Sequence, residues 1–147
     1  MGRIKQSQIT YWCHEIIRSQ AEAGGCYIDA TMGKGNDTLF LCELAGENGK
    51  VLAFDIQQEA LDATRELLRT HGKEQQAELI LDGHEHMGRY AMEESTDVIC
   101  FNFGYLPGGD HKLATTYQTS IEAIGKGLGI LKHGGMTVSY THLRAHE

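Results

Sequence analysis

No part of the chain limits its possible folds more than the segment from Cys26 to Asp55. Cys26 to Ala30 is a short, largely apolar run that carries one acid, Asp29, and Val51 to Phe54 repeats the design just before Asp55. Runs of this length, bounded by glycines, read as buried strands. Between them Asp37 to Ala45 carries Leu39, Phe40, Leu41, Cys42 and Leu44, and Gly46 follows as a helix stop. A strand, a glycine turn, a helix and a second strand form a βαβ unit, and its right-handed crossover makes the two strands parallel.

The remaining chain continues the alternation. Ile9, Trp12, Cys13, Ile16 and Ile17 recur at helical spacing and stop before Gly24-Gly25, giving a leading helix. Ala60, Leu61, Thr64, Leu67 and Leu68 mark a helix after the second strand. Ala77 to Leu81 and Val98 to Phe101 are further strands, with a short helix from His86 to Met92. Tyr117, Ile121, Ile124, Leu128 and Leu131 mark another helix, although its glycines at 125, 127 and 129 each cost about 1 kcal/mol relative to Ala. Met136 to Tyr140 completes five strands. The expected class is α/β, a mostly parallel sheet with helices on both faces, and 147 residues suffice for one domain.

A formal net charge of -7 disfavours a generic phosphate binder, which needs Lys and Arg to neutralise the backbone. Arg3, Lys5 and Lys112 are the candidates for a local basic patch. The four cysteines show no CxxC spacing and read as buried thiols. No signal pattern and no apolar run near 18 residues is present, so a cytoplasmic location without membrane insertion is expected.

Ligands of open α/β sheets bind beyond the carboxyl ends of the strands, where the strand order reverses. Gly33 and Gly35 permit positive φ there and let a ligand approach the backbone. Asp55, 20 residues beyond Gly35, is placed to accept hydrogen bonds from both hydroxyls of an adenosine ribose. A P-loop is disfavoured because Gly35 follows Lys34 where a hydroxyl would bind Mg²⁺, and NAD is disfavoured because GKGNDT has Thr38 in place of a third glycine. S-adenosylmethionine carries no phosphate and needs polar groups for its amino-acid end. Asp29 suits the ammonium, directly or through water, while Asn36 and the helix N–H groups meet the carboxylate.

The third strand ends in LDGHEHM, which places Asp82, Gly83 and His84 toward the adenine; helix capping by Asp82 or His84 is the alternative. His84 and His86 make an incomplete metal set, so no metal is expected. The fourth strand runs into NFGYLPGGD, where Asn102 and Tyr105 project toward the transferable methyl. Asn102 can orient an amine nucleophile through its amide oxygen, and Asp110 either holds a substrate amine or caps the turn.

DATMGKGNDT, FDIQ, LDGHE and NFGYLPGGD, in this order and spacing, resemble the small bacterial methyltransferases labelled rRNA methylases. That group includes enzymes that methylate 5-aminomethyl-2-thiouridine at the tRNA wobble position. The resemblance covers roughly residues 9 to 137 and implies a Rossmann-like class I methyltransferase fold, S-adenosylmethionine as donor and a homodimer. It implies donor contacts at Lys34 and Asn36, at Asp55 and Gln57, and at Gly83 and His84, with NFGYLPGGD as the acceptor-side loop. Lys34 departs from the family's Asn at that place.

The family continues through further strands after an apolar one, whereas VSYTHLRAHE follows Thr137 here and resembles translated adapter read-through. The expected organisation is a truncated methyltransferase domain over 1–137, incomplete at its C-terminus, and a non-native tail over 138–147 that gives His142 and His146 no functional weight. The leading expectation is an enzyme that methylates tRNA. An rRNA or small-amine methyltransferase, an inactive donor-binding module and a plain NAD-binding domain are the rivals.

Overall fold

The structure, a computed structural model, describes the backbone of residues 6–104 and 110–142 and the surroundings of side chains in 8–103 and 118–139. Helix α1 spans Gln6–Gln20, strand β1 Cys26–Asp29, α2 Asn36–Ala45, β2 Lys50–Asp55, α3 Gln58–Thr70, β3 Ala77–Leu81, β4 Thr96–Gly104, α4 Asp110–Ile130 and β5 Leu131–His142. A 3-10 turn at His84–Arg89 stands where the sequence suggests a short helix over His86 to Met92.

The sheet order is β3-β2-β1-β4-β5, and every neighbouring pair is parallel. The chain steps outward from β1 to β3, returns to the other side of β1 with β4, and continues to β5. The order therefore reverses between β1 and β4, and a crevice opens beyond their carboxyl ends. Strand β5 is longer than expected, and Val138 to His142 pair with Cys100 to Gly104.

Side chains alternate between two cores, as the pleat requires. On one face Tyr27, Val51, Val98 and Cys100 pack with Ile17 of α1, Phe40 and Leu41 of α2 and Leu68 of α3. On the other, Ile28, Leu52, Phe54, Ile99 and Phe101 pack with Met87, Ala123 and Ile130. Each fully buried Val, Leu, Ile or Phe contributes about 1.5–3 kcal/mol, so a strand covered on both faces is apolar throughout.

Two helices present a different face from the one their apolar residues suggest. In α4, Ile121 and Leu128 are exposed, while Ser120, Ala123 and Ile130 are buried. Gly127 explains the rotation: a Cβ there would lie 3.1 Å from Ile99 Cδ1. The glycine, costly to the isolated helix, lets it lie close against β4. In α1, Ile17 is buried but Trp12 and Ile16 are exposed. Of the cysteines, Cys42 and Cys100 are buried, Cys13 is half-buried, and Cys26, at the first position of β1, is exposed, contrary to expectation.

Candidate functional site

Backbone hydrogen bonds suspend the loop after β1 between its two neighbouring strands. Ala30 N donates to Cys100 O at 2.8 Å and Met32 N to Phe54 O at 2.8 Å, so the loop starts in register with both β4 and β2. Gly33 and Gly35 both take positive φ, +50° and +93°. At Gly35 a Cβ would meet Thr64 Cα at 3.0 Å, so the glycine serves packing as well as conformation. Thr64 Oγ1 in turn donates to Gly33 O at 3.1 Å.

Asp55 locks the turn from the end of β2. Its Oδ2 accepts Gly33 N at 3.1 Å and its Oδ1 accepts Gln57 N at 3.0 Å. An ionised carboxylate has about four lone-pair sites, so two remain for a pair of ligand hydroxyls. Gln57 is exposed beside it, and Ile56 is 74% exposed, an apolar side chain standing at the mouth of the crevice.

Asp29 is enclosed, with 0% exposure. Its Oδ1 accepts Thr31 N at 3.1 Å, an Asx turn, and its Oδ2 accepts Thr38 Oγ1 at 2.6 Å. Burial first, and then the charge of Asp37, push this carboxyl from 3.8 up to about 7. Asp29 therefore lies beneath the loop rather than on its surface. Lys34 and Asn36 are exposed, and α2 begins at Asn36 with Gly35 as its N-cap and no side-chain cap, so its first N–H groups remain available to a ligand.

On the β3 side, Gly83 is buried and His84 is half-buried. His84 Nδ1 lies 3.1 Å from Ala30 O, and since a carbonyl only accepts, Nδ1 carries the hydrogen and Nε2 keeps a lone pair. Desolvation holds His84 below its usual range, which favours this neutral form. Asp82 accepts hydrogen bonds from Gly83 N at 2.7 Å and Tyr90 Oη at 2.8 Å, and its Oδ1 lies 2.7 Å from His86 Nδ1. Those bonds, that of His86 first, hold Asp82 down at about 2 and pin the 3-10 turn that carries His84. Neither Asp82 nor His84 caps this turn through its side chain: the N-cap position is Gly83. Among the described residues no group of three His, Cys, Asp or Glu is placed to hold a metal ion.

On the β4 side, Thr31 Oγ1 accepts Asn102 N at 2.8 Å, while the buried Asn102 Oδ1 has no hydrogen-bond partner among the described residues. Buried polar atoms are nearly always paired, so an unpaired amide oxygen at the strand-order reversal is an acceptor in want of a donor. Tyr105 lies outside the described residues. Asp110 opens α4, and its side chain is outside them, as are those of Arg3, Lys5 and Lys112. A shallow cavity of about 760 Å³ between the 3-10 turn and α4, lined by Tyr90, Met92 and Lys126 among others, contains none of the expected site residues.

A family model described as "Putative rRNA methylase" matches residues 51–143, well over half of the chain. The chain belongs to this rRNA methylase family. It is 33% identical over 144 residues to the "tRNA (mnm(5)s(2)U34)-methyltransferase, chloroplastic" of Arabidopsis thaliana, covering 92% of this chain and 52% of that protein. It thus spans about half the length of that curated relative. A crystal structure described as a putative rRNA-methylase from Clostridium thermocellum superposes with a TM-score of 0.79 at 39% identity, covering 92% of this chain and 72% of that one. Another, described as a putative methyltransferase from Streptococcus mutans in complex with SAH, gives a TM-score of 0.75 at 37% identity, covering 93% and 73%. The fold is thus the Rossmann-like fold of these methyltransferases. Among the described residues no helix is long and apolar enough to cross a membrane.

Several residues of this rRNA methylase family member escape a reading by motif. Thr31 and Thr38 are both bound to Asp29, and Thr31 also reaches Asn102. The Asp-x-Thr spacing of an Asx turn is the one local signal for Thr31. Thr64 of α3 reaches the loop at Gly33 O and His14 of α1 reaches Asp37 in the first turn of α2, and nothing near them in sequence announces it.

Proposed function

We propose that the chain is the donor-binding and catalytic part of an S-adenosylmethionine-dependent methyltransferase that acts on RNA. The observation that carries the reading is the tie from Asp55 to the Gly33 N–H, which sets a carboxylate with spare acceptor sites against an open glycine turn at the strand-order reversal. When bound, S-adenosylmethionine supplies an electrophilic methyl group on a sulfonium. The residues fit such a ligand. Asp55 receives the ribose hydroxyls, Gln57 lies alongside, and exposed Ile56 offers an apolar face to the adenine. His84 Nε2 accepts from an N–H donor of the base, next to the Gly83 backbone. At the other end, Lys34, Asn36 and the first N–H groups of α2 face the carboxylate, and Asp29 attracts the ammonium from beneath the Gly33–Gly35 turn.

Methyl transfer from a sulfonium is an in-line displacement, so the protein aligns donor and acceptor and excludes water. Asn102 Oδ1 accepts a hydrogen from the attacking amine and turns its lone pair toward the methyl. Tyr105 and Asp110 follow on the same acceptor-side segment. The acceptor we favour is the aminomethyl group of wobble 5-aminomethyl-2-thiouridine in tRNA, supported by the resemblance to the Arabidopsis enzyme. A homodimer of the family-length protein and a cytoplasmic location complete the proposal.

The experiment is transfer of labelled methyl from S-adenosylmethionine to tRNA lacking the terminal methyl, with rRNA and small amines as controls and a family-length relative in parallel. Label in tRNA at the wobble uridine is expected. Label in rRNA alone, or none with the family-length relative, refutes the wobble reading.

A further inference from the structure

Helix α1 meets the first turn of α2, next to the donor-side loop, through His14. His14 Nε2 lies 2.6 Å from Asp37 Oδ1, across 23 residues of sequence, and the two side chains are 18% and 6% exposed. The imidazole cannot swing freely, because it stacks on Phe40 with ring centroids 4.0 Å apart and planes within 5°. Phe40 follows Asp37 by one helical turn of α2, and the Arg18 guanidinium lies 5.2 Å from its ring centroid.

Asp37 and Asp29 are two buried carboxylates in the same small volume. Thr38, next to Asp37, donates to Asp29 Oδ2, so the acid that ends β1 is tied to the turn of α2 that carries Asp37. Buried like charges at close range tend to share a proton, and a shared proton cancels one of the pair's two negative charges and so weakens its attraction for a cation. A donor that turns Asp37 toward α1 opposes this sharing.

We propose that His14 is a positioning residue for the amino-acid end of the methyl donor: by donating to Asp37 it keeps the two carboxylates apart, so that negative charge persists beneath the loop for the donor's ammonium. The inference rests on the methyl-donor reading above. His14 touches neither the sulfonium nor the acceptor. Its effect is confined to the end of the ligand that carries the ammonium.

The test is calorimetric titration of the full chain and of His14→Ala and His14→Gln with two ligands. S-adenosylhomocysteine carries the amino-acid end, and 5′-methylthioadenosine lacks it. His14→Ala is expected to weaken S-adenosylhomocysteine about tenfold, a loss of about 1.4 kcal/mol, with 5′-methylthioadenosine unchanged. His14→Gln, which keeps a side-chain N–H donor, is expected to recover most of the loss. Equal weakening of both ligands, or of neither, overturns the positioning role while the methyl-donor reading stands. Failure of the unsubstituted chain to bind either ligand overturns both.

Discussion

Asp55 Oδ2 accepts the backbone N–H of Gly33 at 3.1 Å, so the acid that ends β2 holds the turn that follows β1. The same carboxylate thus shapes the loop and offers its spare lone pairs to a ribose. Asp55→Ala removes both functions. Charge-assisted hydrogen bonds contribute roughly 1.5–3 kcal/mol each, so S-adenosylhomocysteine binding is expected to fall by on the order of 100-fold or more. Calorimetric titration checks it, and an unchanged affinity refutes the ribose role.

The two turn glycines differ in what surrounds them. Gly33, at φ +50°, has no atom within 4 Å of a built Cβ, whereas Gly35, at φ +93°, would press a Cβ onto Thr64. Gly33→Ala is expected to cost about 1 kcal/mol through backbone strain alone. Gly35→Ala adds the clash and is expected to cost roughly 2–3 kcal/mol. Thermal unfolding of the two variants ranks them, and equal losses contradict the contact with Thr64.

Asp29 makes stability depend on pH with a definite sign. Its carboxyl is raised from 3.8 to about 7, first by burial, so between these values the folded chain holds a proton that the unfolded chain has released. The contribution is complete below pH 3.8 and is lost as the pH rises through about 7. Asn cannot ionise. Urea midpoints from pH 5 to 8 should therefore show the wild-type chain losing ground to Asp29→Asn as pH rises, levelling above about 7. A gap that does not change with pH excludes the buried proton.

Asn102→Ala separates catalysis from donor binding. The unpaired Oδ1 is assigned to the acceptor, so the substitution should lower kcat by on the order of 100-fold while S-adenosylhomocysteine affinity stays within about twofold. Thr31→Val, which removes the acceptor for Asn102 N, should lower kcat less, and Thr31→Ser should restore it. Equal losses in donor affinity and in rate would assign Asn102 to the donor instead.

The sequence by itself determined the alternation of strands and helices, the parallel sheet, the glycine turn and the acid 20 residues beyond Gly35. These are local matters of periodicity, turn chemistry and spacing along one chain. It also reached the family through four short motifs, because residues that line a strand end lie next to one another in sequence. Only the tertiary structure decided which face of α4 is buried, since Gly127 acts through Ile99 on another element. It also decided that Thr38, read from the sequence only as a missing glycine, donates to Asp29, and that His14 meets Asp37 across 23 residues. Asp29 shows the difference most plainly. Its place at the end of β1 is legible in the sequence, but its burial, and so its proton, depends on α2, β4 and the loop closing over it.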